Sequence, residues 1–195
     1  MLRPVLITAP DSPIVNLGDL KAWCRADYAD DDSLLTALEV AAVSRMDGWS
    51  GILGRCLLTQ TWRVDRAGWP SDRAQELPFP DVGSVTVKYF DTDNVEQVVS
   101  SSNYELLEGV SGGFIRFLPT FDSPAINSDR SDAVRIEVTA GYGDASAVPA
   151  PLVTAIKMLV AHWYENREAV VVGSASTEVP MTVAALIAPY RRSLL

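Results

Sequence analysis

"AVRIEVTAGYGDASAVPAPLVTAIKMLVAHWYENREAV", residues 133–170, decides the fold class because its apolar spacing changes part-way along. Its first residues alternate apolar and polar side chains, which is the period of a strand with one buried face. After Pro149 and Pro151, which the first turn of a helix tolerates, the apolar residues recur at helical spacing. The stretch therefore predicts a strand followed by a long helix. The inward residues of the predicted strand are Val134, Ile136 and Val138.

The predicted long helix is apolar around half of its circumference or more. One side carries Leu152, Ile156, Leu159, Val160 and Trp163, and Val153, Ala155, Met158 and His162 extend it. A single neighbouring helix rarely covers so wide an arc. This helix is therefore expected either to be the central one of its domain, with Trp163 in the core, or to meet another subunit.

Two shorter helices are predicted before residue 57. Three prolines exclude a helix in residues 1–15, which are expected to form an extended arm. Asn16 can cap a first helix. A run of acids, Asp30 to Asp32, suits the N-terminus of a second helix, and Gly51 and Gly54 are expected to end it. The predicted buried face of that second helix holds Leu34, Leu38, Ala41, Ala42 and Trp49.

Between residues 57 and 142 the apolar period is two, and prolines separate the segments. The sequence "DTDN", residues 91–94, is expected to turn a hairpin. The predicted class is α+β, in which a small α-helical bundle of N-terminal helices and a long C-terminal helix carries an inserted antiparallel β module, residues 57–142. The module is expected to form one sheet unit within a single domain, 1–195, because no linker composition flanks it.

Residues 174–195 are predicted to be a flexible loop followed by a docking segment. Small polar residues precede one short helix, from about Thr182 to Ala188, which Pro189 stops. This apolar helix could dock onto another molecule or fold back onto its own core, and composition favours neither interpretation. The candidate docking side chains are Met181, Val183, Leu186, Ile187, Tyr190 and Arg191.

Charge and cysteine content limit the classes of protein to which this chain could belong. The formal net charge is -9, so phosphate binding over the whole surface is excluded, and "PYRRSLL" at the end is the one basic candidate. Cys24 and Cys56 are too few for a disulfide framework. No signal peptide or membrane span is evident, so a cytosolic protein without a membrane partner is expected.

The residues show no pattern of an enzyme. His162 is the single histidine, whereas a zinc site needs three or four ligands. The glycine-rich "GVSGG", residues 109–113, lacks the Lys-Ser/Thr of a phosphate-binding loop and suits a hairpin turn. No catalytic, cofactor-binding or metal residues are predicted. His162, Tyr164 and Arg167 are instead candidates for packing or for a subunit interface, because polar tips on aromatic and cationic side chains suit interfaces.

Three stretches in order resemble the head–tail connector (adaptor, or head-completion) proteins of long-tailed double-stranded DNA phages, prophages and gene transfer agents. They are "LITAPDSPIVNLGDLKAWCRADYADDDSLLTALEVAAVSRMDGWSG", "LPFPDVGSVTVKYFDTDNVEQVV" and the stretch quoted first. They are similar to the arm, short helix and long helix of that family, to its hairpin, and to its last strand, Gly-Tyr-Gly turn and aromatic helix. The β module is larger than in the nearly all-helical small members.

The resemblance implies a structural virion protein. It would form a homo-oligomeric ring, a dodecamer in the virion, at the head–tail junction beneath the portal protein. The ring would extend the channel, let DNA pass without specific binding, and dock the tail or a stopper protein. Before assembly the chain would be in the host cytoplasm. In relatives the C-terminal segment reaches toward the portal, and here that segment would be "TEVPMTVAALIAPYRR", residues 177–192. The alternatives are another phage ring component, such as a stopper or tail terminator, and a small hydrolase that uses His162.

Overall fold

The computed structural model describes residues 2–167 and 180–192, which form two compact units. The β unit comprises residues 2–10 and 55–142 together with Arg192. The helical unit comprises residues 11–54, 143–167 and 180–191. The described elements are helices and antiparallel strands, so the predicted α+β class is confirmed. Most of the predicted loop, residues 174–179, lies outside the described residues.

The strands of the β unit form two antiparallel sheets. In chain order they are β1 Val5–Thr8, β2 Gln60–Arg66, β3 Ala74–Glu76, β4 Val82–Phe90, β5 Glu96–Val98, β6 Tyr104–Gly109, β7 Gly112–Phe117 and β8 Val134–Ala140. One sheet has the order β1-β2-β8-β4-β5, and the other has the order β3-β7-β6. The prediction of one sheet was wrong, because periodicity identifies strands but does not say which strands pair.

Strand β8 is the centre of the larger sheet and alternates as predicted. Val134, Ile136 and Val138 are buried, while the polar residues between them are half-buried. The buried side chains of the two sheets join in one core, to which β7 contributes Ile115 and Phe117. Burial of each such side chain stabilises the fold by about 1.5–3 kcal/mol, so this shared core holds the two sheets together.

The predicted turn at residues 91–94 is confirmed. Asp91 N–H donates to the carbonyl of Val95 at 3.0 Å, and Asn94 has a positive φ of 62°. The Asp91 carboxylate accepts from the backbone N–H groups of Asp93 and Val95. These hydrogen bonds hold the pKa of Asp91 below its usual range. An aspartate at the first turn position and an asparagine at the positive φ are the residues that tolerate this geometry best.

The N-terminal arm belongs to the β unit, which the sequence analysis missed. Val5 pairs with Arg63 of β2, so the arm is an edge strand of the larger sheet. Prolines exclude a helix but not an edge strand, because an edge strand has one side without ladder hydrogen bonds. The three-residue β3 was missed as well, since so short a strand shows no measurable period.

Four helices form the described helical unit: α1 Leu17–Cys24, α2 Asp32–Met46, α3 Ala150–Glu165 and α4 Met181–Ile187. Asn16 caps α1 as predicted, because its side chain accepts a hydrogen bond from Asp19 N–H at 2.8 Å. α3 packs against α1, α2 and α4, and its buried residues are Leu152, Ala155, Ile156, Leu159 and Val160. None of the described helices is long and apolar enough to cross a membrane.

The predicted buried face of α2 was wrong except at Ala42. The buried residues are Leu35, Glu39, Ala42 and Met46, whereas Ala41 is exposed. Glu39 lies inward because its carboxylate accepts hydrogen bonds from the N–H groups of Ile14 and Val15, at 3.0 and 3.3 Å. Burial nevertheless raises the pKa of Glu39. Counting only apolar residues therefore selected the neighbouring stripe of the helix.

The second helix also ends earlier than predicted. Gly48 follows the cap residue Asp47 with a positive φ of 73°, which is the usual glycine position after a helix. Trp49 lies beyond this end and is exposed, so it does not belong to the helical face.

Candidate functional site

The C-terminal end of α3 presents the three residues that the sequence marks as an interface. His162 is exposed, and its side chain makes no hydrogen bond among the described residues. It lines a shallow pocket with Trp23, Met158, Ala161, Glu165 and Pro180. The described lining therefore combines an imidazole, a carboxylate and an indole ring at the surface.

Tyr164 and Arg167 both bind Asp31, which precedes α2. The Tyr164 hydroxyl donates to Asp31 Oδ2 at 2.5 Å, and Arg167 Nη2 donates to Asp31 Oδ1 at 3.1 Å. The hydrogen bond from Tyr164 and the charge of Arg167 hold the pKa of Asp31 below its usual range, while the same hydrogen bond raises the pKa of Tyr164. These contacts fix the end of α3 against the start of α2.

Replacing Tyr164 with phenylalanine is expected to raise the pKa of Asp31 toward its ordinary value. A carboxyl with a depressed pKa adds stability above its ordinary pKa and loses it as the pH falls through the folded value. The variant should therefore lose little stability in acid and somewhat more at neutral pH, compared with the native chain. Titration of the Asp31 carboxyl by NMR checks this, with Tyr190→Phe as the control. An unchanged Asp31 titration would contradict the observed contact.

Trp163 does not fill the core as predicted. Its side chain is half-buried, whereas Leu159 and Val160 one turn earlier are fully buried. The core of the helical unit therefore ends before the last turn of α3. The last turn presents aromatic and charged side chains at the surface, which is the composition typical of an interface rather than of a core.

The C-terminal segment folds back onto its own helical unit. Helix α4 packs against α3, with Val183 and Ile187 fully buried. Met181 is 84% exposed, and Leu186 and Tyr190 are half-buried. Of the six candidate docking residues, Val183 and Ile187 are therefore occupied by intramolecular packing. The exposed side of α4, including Met181, is the part that a partner could contact.

The two arginines at the end of the chain bind backbone carbonyls. Arg191, in the helical unit, donates to the carbonyl of Ile52 at 3.2 Å. Arg192, in the β unit, donates to the carbonyls of Leu77, Pro78 and Ser111. Burial lowers the pKa of Arg192. The predicted basic candidate is thus largely committed to intramolecular contacts, which the sequence pattern could not show.

Within residues 2–167 and 180–192, no group of three or more His, Cys, Asp or Glu side chains could hold a metal ion. The features described at the surface are a shallow pocket, a polar cluster and the exposed side of α4. Such an arrangement supports contact with macromolecules.

Residues 125–191 match the family model of the phage gp6-like head-tail connector proteins. The predicted resemblance to head–tail connectors is confirmed. The matched residues contain β8, the turn after it, α3 and α4. They include the whole of the stretch that decides the fold class. No curated protein matches the sequence.

The similarity in fold to solved structures extends over the whole chain. A chain from the neck of an empty GTA particle, computed with C6 symmetry, is 24% identical with a TM-score of 0.79, covering 100% of this chain and 97% of that chain. A chain from the virion of a native gene transfer agent (GTA) particle has the same identity and coverage, with a TM-score of 0.80. A third, from the neck of a native GTA particle computed with C12 symmetry, is also 24% identical with a TM-score of 0.65, covering 98% and 97%.

The turn between β8 and α3 depends on two glycines and on contacts with residues far along the chain. Gly141 and Gly143 have φ values of 131° and 124°, which side chains rarely adopt. Tyr142 lies between them and accepts a hydrogen bond from Arg55, whose guanidinium also binds Asp81 at 2.9 Å. The Gly-Tyr-Gly motif was identified from the sequence, but its partners Arg55 and Asp81 lie far along the chain and carry no local signal.

Proposed function

We propose that this protein is a structural virion component that forms a ring at the head–tail junction, beneath a portal protein. The ring would extend the DNA channel and dock a stopper or tail protein. The observation that supports this most is the similarity over the full chain to chains from GTA necks and virions. The match to the head-tail connector model agrees with it. A dodecameric ring is in keeping with the C12 symmetry of one of those necks.

The surface of the helical unit suits a partner protein. Trp23 is 47% exposed, and it lines the same pocket as His162 and Glu165. Exposed aromatic side chains with polar neighbours are the residues that most often anchor interfaces. We assign one part of the subunit contact to this end of α3, with His162, Tyr164 and Arg167, and the portal contact to the exposed side of α4.

Disruption of the gene in a host that produces the particles tests the proposed function. The expected products are filled heads and free tails that do not join, counted by electron microscopy. Complementation by the native chain should restore joined particles. Normal joined particles without the gene would contradict the proposed function.

The acidic surface leads to a prediction about DNA. A channel wall must let DNA slide, and the net charge of -9 repels phosphates. Among the described residues, Arg191 and Arg192 are engaged with carbonyl groups, so they add little to DNA binding. We expect no measurable binding of a DNA duplex at physiological salt by fluorescence anisotropy. Tight binding with a steep salt dependence would contradict this prediction.

A further inference from the structure

The five-stranded sheet ends in two strands that each lack a neighbour on one side in the described part of the chain. β1 lies at one edge and β5 lies at the other. An edge strand presents unpaired N–H and C=O groups, which form a template for another strand. The direction of these groups follows from the hydrogen bonds of the inner strands.

On β5, the peptide groups of Glu96 and Val98 point away from the sheet. Val99 N–H donates to the carbonyl of Val87 at 2.9 Å, and Asp91 N–H donates to the carbonyl of Val95 at 3.0 Å. Residues 95 and 99 therefore face β4. Since the direction alternates along an antiparallel strand, residues 96 and 98 face outward with both their N–H and their C=O groups.

On β1, the same alternation makes Leu6 the outward residue. Phe90 N–H donates to the carbonyl of Ala133, so the odd residues of β8 face β4 and the even ones face β2. The even residues of β2 pair with the even residues of β8, so they face β8, and Arg63 faces β1. There Arg63 pairs with Val5. Leu6 then faces outward with N–H and C=O groups, and the preceding Pro4 contributes a carbonyl only.

The two edges also complement each other in side chains. Val5, Leu6 and Ile7 of β1 are between 42% and 47% exposed, although edge strands usually carry charges there. At the β5 edge Val95 and Val98 are 53% and 64% exposed. Arg3, beside β1, is exposed and has no ion pair among the described residues, whereas the β5 edge carries exposed Asp93 and Glu96, of which Glu96 also pairs with Arg135 at 3.7 Å. One edge is thus apolar and basic, and the other is apolar and acidic.

We propose that successive copies of this chain join by pairing β1 of one copy with β5 of the next, so that the sheet continues from copy to copy. Pairing of β5 with β5 would bring two acidic edges together, and pairing of β1 with β1 would bring two basic edges together. Only the mixed pairing brings opposite charges together. This inference rests on the proposed function, because two different edges make a head-to-tail contact that closes into a ring.

The strand directions agree with a ring. Four antiparallel steps separate β1 from β5, so the two edge strands run in the same direction. A rotation about a ring axis preserves the component of a strand along that axis. The β1 strand of one copy would therefore lie parallel to the β5 strand of the next, and parallel ladders are a normal form of strand pairing.

Cysteine pairs test the contact in a Cys24→Ser background. Val5→Cys and Ile7→Cys are each combined with Glu96→Cys or Val98→Cys in one chain and oxidised at high protein concentration. A disulfide requires Cα atoms within about 7 Å, so at least one combination should give a ladder of covalent oligomers on a denaturing gel. The single-cysteine variants are the controls and should give no ladder. Dimers from a single-cysteine variant would show that like edges pair, and they would overturn the proposal.

A proline at the outward position provides a second test. Val98→Pro removes an outward N–H without removing a hydrogen bond to β4. We expect self-association, measured by analytical ultracentrifugation, to weaken about tenfold or more. The matched Val98→Thr variant keeps the N–H and should associate nearly as the native chain does. If the proline variant does not fold, only the cysteine test applies. A ladder then supports edge pairing, and the absence of a ladder contradicts it.

The outcomes separate this inference from the proposed function. Rings that form without any β1–β5 ladder, or a proline variant that associates as well as the native chain, would overturn edge pairing and leave the virion role intact. A native chain that stays monomeric at its highest soluble concentration, together with cysteine pairs that give no ladder, would also overturn edge pairing. The virion role fails separately, if joined particles form without the gene.

Discussion

Replacing Val183 with aspartate is expected to destabilise the helical unit by about 3 kcal/mol or more, because a carboxylate would be buried without a partner. Val183 is fully buried where α4 packs on α3. The midpoint of urea unfolding should fall, as followed by circular dichroism. The aspartate would lie on the face of α4 that contacts the protein's own core.

Met181→Asp is the matched control, since it places the same charge on the same helix at an 84% exposed position. It should unfold at nearly the native urea concentration. Equal unfolding midpoints for Val183→Asp and the native chain would contradict the packing of α4 on α3. The control also probes the proposed portal contact, because it should impair the joining of heads to tails without impairing folding.

Replacing Gly141 with alanine is expected to cost about 3–5 kcal/mol of stability. Its φ of 131° is strained for any side chain, and an added Cβ would lie 2.3 Å from the carbonyl oxygen of Leu58. The neighbouring atoms are backbone, so they cannot move aside as a flexible side chain could. Thermal or urea unfolding of the variant checks this result.

Gly143→Ala is the control from the same turn. Its φ of 124° is equally strained, but an added Cβ would meet only the Ala147 methyl group at 3.4 Å. The expected cost is about 1–2 kcal/mol, which is the conformational strain alone. Equal losses for the two variants would show that the close approach of Leu58 to the turn does not contribute.

The elements that local rules predict well are those with a clear period or a specific cap. Strand β8 and helix α3 follow from alternation and helical spacing, and Asn16 and the turn at residues 91–94 follow from their hydrogen-bonding side chains. The inward stripe of α2 was missed because Glu39 is buried by hydrogen bonds to Ile14 and Val15, which lie more than 20 residues earlier. A buried acid of this kind is invisible to an apolar pattern.

The candidate site was predicted only in part. His162, Tyr164 and Arg167 lie at the surface end of α3, but Asp31, the partner of Tyr164 and Arg167, is more than 130 residues away. The acids before α2 were interpreted as favourable charges at a helix N-terminus, whereas Asp31 binds α3 and Asp32 binds Lys21 at 2.6 Å. Local electrostatics explains why acids are tolerated there. It does not say which distant side chains they bind.

The most direct test of the virion role is cryo-electron microscopy of purified particles in which this chain carries a small C-terminal tag. The proposed function predicts a ring of density between the portal and the tail, into which the β unit and the helical unit fit, with the tag visible on that ring. Density for this chain elsewhere in the particle, or particles that lack the chain altogether, would contradict the proposed function.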